Sequence, residues 1–135
     1  MGLSSSTFVT DAVIVRDIFD RLRQATAGDP NVLVELCREY VAEARSTIGR
    51  LREALAQGDA AQVRDRAHYL KGSSMMIGAE DLWQCCATLE RMGKDADLTA
   101  AQAALERTLV ALRAVEEELA KEFGSVAWPA EGSAA

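Results

Sequence analysis

The sequence predicts an all-α protein, an antiparallel up-down four-helix bundle with a short extra helix at its N-terminal end. Three observations carry that expectation. Apolar residues recur at spacings of three and four along most of the chain, and no stretch shows the β-branched, period-two alternation of a strand. Only two prolines occur in 135 residues, so little interrupts helix formation. The segments between periodic runs are short, which forces successive helices to lie antiparallel. A chain of this length suits one domain and buries roughly 70% of its unfolded surface on folding, so it needs no disulfide or metal to hold it.

The elements follow in order. Residues 1–10 are rich in Ser and carry little periodicity, and a flexible start is expected there. Asp11 precedes a short helix with Val15, Ile18 and Leu22 on one face, ended by Gly28. Asp29-Pro30 opens a long second helix, because an Asp side chain caps free backbone N–H groups and Pro is tolerated where no N–H is needed. Its stripe is Leu33, Leu36, Tyr40, Ala44, Ile48, Leu51 and Leu55, running to Gly58. Asp59 with Gln62 reads as a capping box for a third helix, with Val63, Ala67 and Leu70 inward and Gly78 at or just after its end. Leu82, Cys86 and Leu89 mark a fourth helix that should stop near Gly93. Thr99 with Gln102 reads as a second capping box, leading into Leu105, Leu109, Leu112, Val115, Leu119 and Phe123. The bundle is therefore expected over residues 11–123, with a flexible tail over 124–135 that includes Trp128.

Charge and cysteine content narrow the function. Fifteen basic against 21 acidic residues give a net charge of -6, which disfavours nucleic-acid backbones and anionic membrane surfaces. No apolar run approaches the roughly 20 residues of a membrane span, and no secretory signal pattern opens the chain. Cys37, Cys85 and Cys86 do not have the spacing of a redox or zinc motif and read as reduced thiols. A cytoplasmic monomer without stable membrane association is expected. Cys86 lies on a core stripe, Trp83 beside it reads as a packing residue, and Glu116-Glu117-Glu118 reads as a solvated helix face.

The one histidine, His68, sits on the third helix. With Val63 as the core direction, a helical wheel puts Lys71 at about 80°, Arg64 at about 100°, Met75 at about 120°, His68 at about 140° and Gly72 at about 180°. His68 thus points away from the core. Gly72, one turn on, costs about 1 kcal/mol relative to Ala in a helix interior, a cost that makes sense where bare backbone must admit something bulky. Lys71 can swing an ammonium toward the same spot. Imidazole is a nucleophile near neutral pH, and phosphoryl transfer asks mainly for positioning and charge stabilisation. Spacing alone also fits an ordinary solvated surface. Met75, flexible and on the His68 side, suits a surface that accepts several partners, and Arg64 lies on the same flank.

The string Ala67-His68-Tyr69-Leu70-Lys71-Gly72-Ser73-Ser74, followed by Ile77-Gly78-Ala79, resembles the signature of histidine-containing phosphotransfer (HPt) domains, the intermediates of multistep two-component phosphorelays. The resemblance spans about 95 residues, Gly28 to Glu122, taking in Gly28-Asp29-Pro30, the segment from Leu51 to Asp59, and Leu89-Glu90. It implies that His68 accepts a phosphoryl group on Nε2 from a receiver-domain aspartate and passes it to another. Lys71 would steady the phosphoryl group, and Gly72 would leave room for the receiver. Ser74 matches a hydroxyl position of the family, although the wheel turns it inward, where it would bond to the preceding turn. Glu90 falls where some members carry a glutamine that hydrogen-bonds the histidine, and a carboxylate there would fix the Nδ1–H tautomer.

The partners implied are receiver domains of response regulators or hybrid histidine kinases. The implied Mg²⁺ belongs to the receiver, and no cofactor is expected on this chain. Whether such a carrier counts as an enzyme is partly semantic, since it is itself a covalent substrate; with neither G-x-G-x-x-G nor G-x-x-x-x-G-K-[ST] present, no ATP-dependent kinase activity of its own is expected. The alternative is a non-phosphorylated adaptor or inhibitor that binds a kinase or receiver through the same face, though pure binding does not require His68, Lys71 and Gly72 together. A metal-binding bundle fails for want of ligands, with one His and inward thiols.

Overall fold

The computed structural model describes residues 12–127, and among them every regular element is helical. The helices are α1 (Arg16–Ala25), α2 (Pro30–Ala56), α3 (Ala60–Ile77), α4 (Glu80–Lys94) and α5 (Ala101–Ala127). Helices α2 to α5 form the bundle, and short α1 lies across one end, against α2 and α3. The expectations for residues 1–10 and for Asp11, and most of those for the tail, including Trp128, fall outside the described residues.

Local chemistry accounts for most of the boundaries. Asp29 accepts from the Asn31 N–H at 2.9 Å with Pro30 in the first turn, and Asp59 accepts from the Gln62 N–H at 3.1 Å. Gln62 Oε1 takes a bond from Arg66 Nε at 3.2 Å. Gly58 and Gly78 leave α2 and α3 at φ 65 and 88, the left-handed backbone that favours glycine. Gly78 also sits in a tight contact, since a Cβ there would stand 3.1 Å from Ile18 Cβ, and its carbonyl accepts from the Val15 N–H at 2.8 Å. The entry to α1 is thereby fastened to the end of α3.

Some expectations change. Thr99 does not cap α5; its hydroxyl donates to Asp97 Oδ1 at 2.6 Å, and Gln102 Nε2 donates to Glu106 at 3.2 Å. The Asp97 carboxylate wins the competition because it also accepts the Thr99 N–H at 3.2 Å, closing a tight turn. Helix α4 ends at Lys94, near Gly93 as expected, and Gly93 itself lies within its last turn. A Cβ there would meet Arg64 N at 2.6 Å and Ala60 O at 2.8 Å, so glycine lets α4 touch the backbone of α3. The exit from α4 passes through Asp95 and Ala96, the latter at φ 53. At the far end, α5 breaks at Gly124, whose φ 80 and ψ 168 are not helical.

The core is a continuous apolar cluster that includes Leu33, Ala44, Leu51, Val63, Ala67, Leu70, Leu82, Cys86, Leu89, Leu105, Leu112, Val115 and Leu119. In α1 the fully buried residue is Phe19, one place beyond the predicted Ile18. Its ring meets Phe123 at 6.3 Å, and the guanidinium groups of Arg16 and Arg23 lie over it at 5.3 and 5.5 Å while both pair with Glu122. Glu116 is not merely solvated, since it pairs with Arg45 and ties α5 to α2. Buried Ser74 bonds to the Tyr40 hydroxyl at 2.7 Å, joining α3 to α2 instead of bonding to its own preceding turn as expected. Among the described residues no buried side-chain polar atom lacks a partner. None of the described helices is long and apolar enough to cross a membrane.

Candidate functional site

Helix α3 presents the site because its two faces differ so sharply. Val63, Ala67, Leu70 and Ser74 are fully buried, and this fixes the rotation of the helix about its axis. His68, five residues beyond Val63, is then turned outward, with 68% of its side chain accessible. Gly72 lies exposed one turn along, and a Cβ added there would have nothing within 4 Å.

Opposite His68, α4 supplies Glu90, whose side chain is only 16% exposed. Its two oxygens divide between two residues of α3. His68 Nδ1 lies 2.9 Å from Oε2, and Lys71 Nζ donates to Oε1 at 2.7 Å. An ionised carboxylate can only accept, so the imidazole proton must sit on Nδ1. Nε2 is left with its lone pair on the far side of the ring from Glu90. The carboxyl group is held below its ordinary range, first by the Lys71 hydrogen bond and further by the one from His68, with partial burial opposing them.

The close crossing at Gly93 makes this constellation possible. It brings the backbone of α4 against Ala60 and Arg64 one turn before His68, so that Glu90 reaches across without stretching. Arg64 itself is exposed on the His68 side, its Nε 3.0 Å from Asp65. Met75 is 47% exposed, as its wheel position requires.

Sequence reasoning missed the residues flanking this centre. Arg91 and Lys94 join Lys71 and Glu90 around a shallow recess of about 290 Å³ on the α4 side. Residues 87, 90, 91 and 94 share one helical face, which was the available signal. On the other flank, exposed Tyr69 and Met76 border a second recess with Leu36 and Tyr40 of α2. Both lie outward on the same wheel that places His68, on the side opposite Met75. Trp83 and Cys85 are half-buried, and Cys86 is buried in the core.

Chemically, the arrangement offers a nucleophilic ring nitrogen open to solvent, a counter-charge behind the ring, an ammonium beside it and uncovered backbone next to it. The model of the Hpt domain family matches residues 35–122. Among solved structures, the chain is similar to histidine-containing phosphotransfer protein B (HptB) from Pseudomonas aeruginosa PAO1, with a TM-score of 0.77 and 24% identity, covering 82% of this chain and 94% of that one. That likeness is one of fold. The search of curated proteins returned no match. Hpt domains carry phosphoryl groups in two-component signalling, where they interact with receiver domains and histidine kinases. With the family model matched over most of the bundle, α3 and Glu90 included, this chain belongs to the Hpt domain family.

Proposed function

We propose that His68 is the residue that carries the phosphoryl group, taking it from the aspartyl phosphate of one receiver domain and handing it to the aspartate of another. The observation that supports this best is the orientation of the imidazole, anchored at Nδ1 by Glu90 and accessible at Nε2. In the forward step the Nε2 lone pair attacks phosphorus, an N–P bond forms, and the acyl P–O bond breaks to release the donor carboxylate. No proton has to leave the ring first, because the Nδ1–H tautomer already exposes the lone pair. The phosphorylated ring is cationic, and the Glu90 carboxylate faces that charge. In the second step the carboxylate of the acceptor receiver attacks phosphorus and neutral imidazole leaves.

Lys71 has a divided role in this reading. At rest it is paired with Glu90. Once a phosphoryl group sits on Nε2, a second anion competes for its ammonium, and Lys71 can turn to it while Glu90 keeps the bond to Nδ1. Gly72 leaves backbone uncovered for the incoming domain, and Arg64 and Met75 lie on the rim that such a domain would meet. Any Mg²⁺ is assigned to the acidic pocket of the receiver.

The test is transfer of radiolabelled phosphoryl from a phosphorylated receiver to the protein. Acid-labile, base-stable label is expected on the wild type and is expected to be absent from His68→Gln. Label persisting in that variant would place the acceptor elsewhere. Tight receiver binding without any label would favour an adaptor or inhibitor instead.

A further inference from the structure

His68 stands between two surfaces of opposite charge. On its α4 side the shallow recess is lined by three cations, Lys71, Arg91 and Lys94, against two carboxylates, Glu90 and Asp95. On its α2 side the recess beside Tyr69 and Met76 is lined by Glu39 and Glu43 and by no cation. A partner that carries carboxylates is drawn to the first flank and turned away from the second.

The three cations are not equivalent. Both oxygens of Glu90 are occupied, by His68 and Lys71, and neither Arg91 nor Lys94 pairs with a carboxylate of any described residue. Both of these side chains are exposed. Lys94 lies one turn beyond Glu90, about 6 Å along α4 and about 40° around it, so it extends the same face. Cations in the last turn of a helix also favour its C-terminal dipole, a role that needs no partner. The charge of the whole chain adds a second consideration. At -6 the chain repels an acidic protein on average, and a donor aspartyl phosphate brings more negative charge with it. Productive encounter with such a donor needs a face where cations gather.

We infer that Arg91 and Lys94 form a docking ledge for acidic side chains that flank the phosphorylated aspartate of a receiver, and that this ledge sets the direction from which the receiver approaches. The inference rests on the reading of His68 as the phosphoryl acceptor. Arg91 offers a planar fork to a carboxylate and Lys94 a compact charge, while Lys71 stays with Glu90 and the phosphoryl group. The acidic α2 flank rejects the reversed orientation.

The test is rapid-quench transfer from a phosphorylated receiver that labels the wild type, with receiver concentration varied and sodium chloride stepped from about 25 to about 300 mM, which shortens the reach of surface charges. In the double variant Arg91→Glu/Lys94→Glu the second-order rate constant is expected to fall about tenfold at low salt. The wild-type rate constant is expected to drop as salt rises, and that of the variant to level off or rise. At saturating receiver the two rates are expected to agree within about twofold, because the reacting groups are intact. Lys94→Glu alone is expected to slow transfer more than Arg107→Glu, an exposed change of the same net charge on α5. A double variant that keeps the wild-type rate constant and salt dependence would overturn the inference, even with a lowered thermal midpoint, by leaving the two cations to the helix end alone. An equal effect of Arg107→Glu would overturn it as well, by making net charge the cause. Absence of label on His68 in the wild type, by contrast, would bring down the assignment of His68 and this inference with it.

Discussion

Glu90 is the residue whose removal says most about how the site works. Its carboxylate receives one donor on each oxygen, from His68 at 2.9 Å and Lys71 at 2.7 Å. A hydrogen bond to a charged group contributes about 1.5–3 kcal/mol, and the lower end applies here because the imidazole is largely in water. Glu90→Ala is therefore expected to slow phosphoryl transfer about tenfold, at 1.4 kcal/mol per factor of ten. Glu90→Gln keeps an acceptor oxygen for Nδ1–H but loses the charge facing the cationic ring, and should fall between, roughly threefold slow.

The assay for Glu90 is rapid-quench transfer from a phosphorylated receiver, with the imidazole tautomer followed by nitrogen NMR. A Glu90→Ala rate within twofold of wild type would refute the reasoning, as would a wild-type ring protonated on Nε2. The same contacts have a pH signature. Because folding lowers the Glu90 pKa, its contribution to stability is complete above the unfolded carboxyl value, about 4.3, and is lost as pH falls through the folded one. Acidification through that window should destabilise the wild type more than Glu90→Ala in urea titrations. Near pH 7 the two should differ little, since partly exposed ion pairs contribute about 0–1 kcal/mol.

Three further outcomes test the surrounding structure. Gly72→Gln should raise the thermal midpoint slightly, because helical Gly costs about 1 kcal/mol and nothing lies within 4 Å of the new Cβ, while slowing transfer by crowding the receiver. An unchanged transfer rate would show that bare backbone is not needed there. Gly93→Ala should cost about 1–3 kcal/mol, because its Cβ meets the backbone of α3 at 2.6 Å and main chain cannot swing aside; a denaturation midpoint equal to wild type would contradict the close crossing. Ser74→Ala and Tyr40→Phe should each cost about 1 kcal/mol, with the double variant much less destabilised than their sum, since each removes the same buried 2.7 Å bond. Additive losses would show that the two hydroxyls do not depend on each other.

Local rules carried much of the fold and half of the site. The starts of α2 and α3 were readable because Asp29 and Asp59 cap through backbone only two or three residues away. The outward direction of His68 followed from the burial of Val63, Ala67 and Leu70 on the same helix, where linear spacing is already an angle. The same reasoning failed at Thr99, where Asp97 competed for the hydroxyl; at Gly93 it placed the end of α4 correctly but gave no sign that this glycine also serves a helix crossing.

What the linear order of residues determined by itself was the all-helical architecture, the inward and outward faces of each helix, and the exposure of the imidazole with Lys71 and Gly72 near it. What only the tertiary structure decided was which groups meet across helices: the two oxygens of Glu90 shared between His68 and Lys71, the Tyr40–Ser74 bond, and the backbone contact at Gly93. Family resemblance pointed to Glu90, but periodicity could not. The period of a helix fixes angles about its own axis, whereas the register and distance between two helices emerge only when their side chains pack against one another.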